Sequence, residues 1–276
     1  MSVASRVLAV VGNQPGSSDQ APVRTPPSLS HTVRALRVIS VARDLAADLD
    51  RQGVPVMVLK GPPLQERIFD TPAAYVSGDI DLLVPADGSE VARRLLASTG
   101  RPPDRGTLWW LDRTSTYEWQ GVSVDLHWGI HAGPVPAFLL RELERALWEG
   151  ATRGTHGLWE PASGPLLVYL AVHAAGHQFE RTSWIETVGA LAAQVDDWDV
   201  VWEVARKANV VATVTRSLRV AKVGWPEGTD RWMPVLDGWR GWVVWAATWV
   251  ARGHVVPGKA RQWLKSGPNG RCSGGG

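Results

Sequence analysis

Two aspartates, Asp79 and Asp81, stand one residue apart in the run VSGDIDLLVP at 76–85. In a strand, side chains alternate between faces, so both carboxylates point the same way. Like charges that close repel and raise each other's pKa, so the pair brings little stability by itself. A third aspartate, Asp125, lies in VSVDLHWG at 122–129, where Val122, Val124, Leu126 and Trp128 alternate with Ser123, Asp125 and His127. That is a strand with one apolar and one polar face. If the two strands are neighbours, three carboxylates converge into a hard-oxygen site suited to Mg²⁺ or Mn²⁺. Two such ions can bridge transferring phosphates, and their charge removes the repulsion within the acidic pair. The plainer alternative is two turn residues and a solvated aspartate, because an isolated DxD is a common chance pattern.

Other residues that could serve the same chemistry lie on either side of this acidic set. Lys60 and Gly61 fall in LKGPP at 59–63, where a strand gives way to a helix. A triphosphate could meet backbone N–H groups and a helix N-terminus there, with Lys60 as a point charge and Gly61 allowing close approach. An ordinary strand-to-helix turn with a surface lysine accounts for the same residues, and no GxxxxGK[ST] loop is present. His127 shares the polar face with Asp125, either touching phosphate or acceptor or supporting the acidic residues from behind. His173 and His177 are four residues apart in HAAGH, on the helix face of Leu166 and Leu170. The Glu of a zinc HExxH helix is missing, which leaves buried, hydrogen-bonded histidines or histidines lining the cleft. Arg181 is either a helix-end cation or a phosphate contact.

The elements that must position these residues form two regimes. From 31 to 133 helix and strand alternate: a helix whose apolar stripe runs through Ala35, Leu36, Val38, Ile39, Ala42, Leu45, Ala46 and Leu49 and which ends by Gly53, a buried strand VPVMVLKG, a short helix PPLQERIF, the strand DIDLLV, a helix SEVARRLLASTG capped by Ser89 and stopped at Gly100, and a hairpin STYEWQGVSVDLHWGI turning near Gly121. From 134 to 265 the pattern is helical, with one stripe through Trp184, Val188, Leu191 and Val195 and helices expected near 199–208, 210–222 and 231–252. Residues 1–30, rich in Pro, Ser and Gly, read as a flexible arm, and 266–276 as a disordered tail. The expected class is α+β: a mixed sheet with flanking helices, then a helical domain, with the site at their junction.

Composition narrows the field further. Of 276 residues, 45% are hydrophobic and 20% charged, and the net charge is +2 with both signs interspersed. That fits a globular protein and disfavours a basic nucleic-acid binder. The single cysteine, Cys272, excludes an internal disulfide and points to the cytoplasm. No secretory leader is read, and the apolar run GWVVWAATWVA, 11 residues between Arg240 and Arg252, is too short for a bilayer. Most of the sixteen tryptophans are expected in the core.

In order along the chain, VPVMVLKGPPLQERIFD, SGDIDLLVP and VSVDLHWGI resemble an uncharacterised bacterial nucleotidyltransferase family of the polymerase-β-type superfamily. The stretch from Leu166 to Val210 resembles its histidine-bearing helix, its Trp-led helix and the D-W entry to the next, so the likeness spans about 35–222. The resemblance implies a minimal nucleotidyltransferase sheet, two Mg²⁺ (or Mn²⁺) ions and an NTP. Asp79 and Asp81 would hold both ions. Asp125 would hold the catalytic one and help deprotonate the acceptor hydroxyl, while Lys60 and Gly61 stand in for the superfamily's Gly-Ser phosphate loop. The implied reaction moves a nucleotidyl group from NTP to a hydroxyl of a small molecule, peptide or protein, releasing pyrophosphate. Alternatives on the same site are phosphoryl transfer to a peptide natural product, and a degenerate copy that binds nucleotide or a partner without turnover. Three departures stand out: Lys-Gly replaces Gly-Ser, no Arg lies between Thr71 and Asp79 (Arg67 is the nearest upstream), and Glu186, a candidate to line the cleft with His173 and His177, takes the place of an Asp.

Overall fold

The computed structural model describes residues 27–98, 113–130 and 140–224. Most of the expected arm, Gly100, the helix expected at 231–252 and the tail lie outside the described residues.

Helix α1 (Leu29–Asp50) starts at Ser28, whose hydroxyl accepts from the His31 N–H, and buries Ala35, Val38, Ile39, Ala42, Leu45, Ala46 and Leu49, whereas Leu36, expected on the same stripe, is exposed because it lies one residue, about 100° of helix, round from Ala35. The chain then reverses through Gly53 at φ 75°. Strand β1 (Met57–Lys60) leads into α2 (Pro62–Phe69), and β2 (Asp79–Leu83) leads through a 3-10 turn (Ala86–Gly88) into α3 (Ser89–Ala97). Ser89 does not cap α3 as expected: it is the first helical residue, and its hydroxyl donates to Ala86 O in the preceding turn at 2.7 Å. The hairpin follows as β3 (Thr114–Trp119) and β4 (Val122–His127), then α4 (Arg141–Trp148), β5 (Thr152–Arg153), β6 (Trp159–Glu160), α5 (Ser163–Gly176), α6 (Thr182–Ala192), α7 (Trp198–Lys207) and α8 (Val211–Val220).

The strands form one mixed sheet in the order β3-β4-β2-β1-β6-β5. β2 runs parallel to β4 and antiparallel to β1, while β1 runs parallel to β6. The fold is α+β, a mixed sheet with flanking helices. β5 and β6, each two residues long, come from beyond residue 134, and Trp159 pairs with Met57. Strands this short leave no alternation to read in a sequence. Among the described residues, one apolar cluster links Leu45 of α1, Leu59, Leu82 and Leu126 of the sheet, and Leu167, Leu191 and Trp202 of the later helices. Burial of this apolar area is the main force joining sheet and helices.

Helix α2 is the joint between them. Arg67 donates to Pro161 O (2.7 Å) and Ser163 Oγ (3.1 Å) and lies 3.8 Å from Glu160. His156 Nε2 meets Glu66 Oε2 at 2.6 Å, and Gln194 Nε2 donates to Ile68 O at 2.9 Å. Arg67 is thus occupied in holding β6 and the start of α5. Among the described residues it does not line the cavity that holds the aspartates.

Candidate active site

Asp81 and Asp125 are direct partners across the parallel β2–β4 pair, and Asp79 stands opposite Ser123. Partners across a ladder project from the same face, so register alone sets the two carboxylates side by side. All three aspartates line one cavity of about 480 Å³, together with Lys60, Gly61, His127, His173, His177 and Arg181. The sheet forms one wall and α5–α6 the other.

The three carboxylates live in different surroundings. Asp81 is 6% exposed, and its Oδ1 takes Lys60 Nζ at 2.8 Å and His127 Nε2 at 3.3 Å. Burial alone would raise its pKa, but the Lys60 charge and the His127 and Lys60 contacts outweigh that and hold it below the ordinary carboxylate range. Asp125 is shifted the other way. Burial and then the neighbouring Asp81 charge push it up, opposed by the Thr116 hydroxyl, which donates to its Oδ1 at 2.5 Å. Asp79 is exposed and accepts from Ser77 Oγ at 2.9 Å. The Tyr169 phenol is pushed well above its usual value by burial and by Asp81 and Asp125.

Among the described residues, no group of three His, Cys, Asp or Glu side chains is drawn in around one point as a ligand set. In kind, the residues suit a hard divalent cation. The donors are carboxylate oxygens on a shared cavity, two of them in register, and Asp125 carries a repulsion from Asp81 that a cation would relieve. Asp81's present cation is Lys60.

The turn at Lys60–Gly61 differs from expectation. Gly61 sits at φ 103°, and a Cβ there would lie 3.1 Å from Asp79 O, so glycine is required for the turn to pack on the acidic strand. The row of backbone donors expected at the start of α2 is missing. Pro62 and Pro63 have no N–H, and the N–H groups of Leu64 and Gln65 both go to Gly61 O at 3.1 Å. A phosphate on this side must find its cation in a side chain.

The helical wall is built of rings. His173, buried on α5, brings Nε2 within 3.4 Å of Lys60 Nζ. Its ring centroid lies 4.6 Å from His177 and 5.1 Å from Trp184, and His177 lies 5.0 Å from Trp184. Arg181 sits over the Trp184 ring at 5.3 Å. Burial, then the Lys60 charge, lowers the His177 pKa against the opposing pull of Glu180 and Asp81. Glu186 stands behind the wall, accepting from the hydroxyl of Tyr75, which itself lines the cavity. Sequence reasoning passed over Thr116, Tyr169 and Tyr75. Thr116 was within reach: a hairpin pairing Trp119 with Val122 must place Thr116 opposite Asp125.

The fold is thus α+β, with a polar cleft floored by carboxylates from adjacent strands. Residues 27–225 match the family model described as uncharacterised nucleotidyltransferase, and the chain belongs to that family. It is therefore a nucleotidyltransferase, a phosphorus-group transferase. No curated protein matches it. Among solved structures it is similar to the antibiotic-resistance factor ANT(2'')-Ia, with 14% identity, a TM-score of 0.45, and coverage of 68% of this chain and 96% of that one. No helix among the described residues is long and apolar enough to cross a membrane.

Proposed function

We propose that the cavity between sheet and helices transfers a nucleotidyl group from an NTP to an acceptor hydroxyl. The acceptor oxygen attacks the α-phosphorus, the bond from that phosphorus to the bridging oxygen breaks, and pyrophosphate leaves. The observation that carries this reading is the register of Asp81 with Asp125 at the floor of the cavity, with Asp79 on the same lining. These three residues would hold two Mg²⁺ or Mn²⁺ ions. When bound, the ions neutralise developing charge on phosphate oxygens and lower the pKa of the attacking hydroxyl. Asp125 takes the hydroxyl proton, and the Thr116 hydroxyl orients its carboxylate. Lys60 and Arg181 face the triphosphate as point charges, and His127 steadies Asp81. The tilted rings of His173, His177 and Trp184 give the nucleobase or the acceptor an aromatic wall to pack against.

The test supplies the protein with Mg²⁺ and NTPs labelled on either the α- or the γ-phosphate. A panel of hydroxylated small molecules and peptides serves as acceptors. Label from the α-phosphate on an acceptor, with pyrophosphate released, is the expected result. Label from the γ-phosphate would replace nucleotidyl by phosphoryl transfer. Metal-dependent nucleotide binding without transfer to any acceptor would favour a binding-only role.

A further inference from the structure

We infer that Lys60 is an internal counter-cation that occupies the acidic floor in competition with divalent metal, and that a triphosphate clears the floor by drawing Lys60 onto itself. This rests on the reading of the cavity as a metal-dependent nucleotide site.

Three observations lead here. First, the ammonium sits on the most enclosed of the three cavity carboxylates, at 2.8 Å from Asp81 Oδ1, and that same oxygen already takes His127 Nε2. A divalent ion on Asp81 and an ammonium on the same oxygen would stand a few ångströms apart with like charge, so one must leave. Second, Lys60 has somewhere to go. Its side chain is 24% exposed, it lines the cavity, and on its other side lies His173 Nε2 at 3.4 Å rather than a second acid. Third, the start of α2 offers a polyanion almost nothing else. Pro62 and Pro63 lack N–H groups, and the next two are spent on Gly61 O. The triphosphate's attraction on this side falls to the Lys60 ammonium. Once it turns to phosphate, Asp81 stands without a lysine and takes metal more readily. By linkage, nucleotide then tightens metal and metal tightens nucleotide. Lys60 thus has two roles: it meets the phosphate directly, and it acts on the metal through Asp81.

Titration of the full chain with Mn²⁺, following free Mn²⁺ by electron paramagnetic resonance without nucleotide, tests this directly. Lys60→Met should bind Mn²⁺ about tenfold or more tightly than wild type, and Lys60→Arg should restore weak binding. Mn²⁺ should also raise the melting temperature of Lys60→Met more than that of wild type, because it replaces the lost partner of Asp81. If Lys60→Met is too unstable to titrate, Lys60→Gln carries the same comparison. Equal or weaker Mn²⁺ binding by the variant overturns the counter-cation role while leaving the metal site standing. Failure of both proteins to bind Mn²⁺, with or without a non-hydrolysable NTP, overturns the metal-dependent reading itself.

Discussion

The two walls of the cavity are made in different ways. On the sheet wall, Asp81 and Asp125 are fixed by backbone register, and identical side chains acquire opposite character from what surrounds them. Asp81, clasped by Lys60 and His127, is held ionised; Asp125, beside that charge, resists ionisation. On the helical wall, His173, His177 and Trp184 meet through packing of α5 against α6, and they are rings rather than charges. The sheet wall sets electrostatics to the position of a single residue; the helical wall sets shape.

The contrast can be broken most visibly in turnover. Asp81→Asn and Asp125→Asn should each lower nucleotidyl transfer at least about 100-fold, because each removes a carboxylate proposed to hold metal. Trp184→Ala should leave that chemistry in place and weaken substrate binding by roughly tenfold, the scale of one lost stacking contact. Steady-state kinetics, read as KM against kcat, separates the walls, and a kcat collapse in Trp184→Ala would erase the distinction.

Stability sharpens it next. Asp81→Asn breaks a buried pair and strands Lys60, and should cost about 2–4 kcal/mol in urea unfolding. Asp125→Asn removes a repelled charge and should be neutral or stabilising. Two losses of equal size would mean that the two carboxylates do not differ as described. The pH dependence follows the same logic. The folded pKa of Asp81 lies below its ordinary 3.8. Its contribution is therefore fully present above that value and is lost as pH falls through and below it. The stability gap between wild type and Asp81→Asn should hold from neutral pH down to about 5 and close only in strong acid. A smaller effect is expected at the turn joining the walls. Gly61→Ala at φ 103° presses a methyl toward Asp79 O and should cost about 1–3 kcal/mol. A thermal melt matching wild type would show that the turn relaxes freely.

What could be read beforehand follows the same division. Asp79, Asp81 and Asp125 stood out because strand alternation is a two-residue rule, and a polar residue within it is conspicuous. The hairpin and most helices were legible from apolar spacing. The Lys60–Asp81 pair was not, because it depends on an antiparallel neighbour whose register shifts at Lys60. It also answers the repulsion expected at Asp81: the Lys60 ammonium on its Oδ1 holds that carboxyl below the ordinary range. The prolines after Gly61 were in plain view, and their missing N–H groups argued against a backbone phosphate cradle from the start. Glu186 was placed on the right helix, but which face of α6 meets the cavity is decided by packing against α5 and Tyr75.

Helix α2 is riveted along its length, by Glu66 to His156, by Arg67 to residues 160–163 and by the Ile68 carbonyl to Gln194. Sheet and helices are therefore bolted at a common strut, and the gap between them has a set gauge. If the acceptor packs on that helical wall as proposed, a new one would be admitted by recarving side chains on α5 and α6, much as a key blank is recut, rather than by the jaws swinging wider.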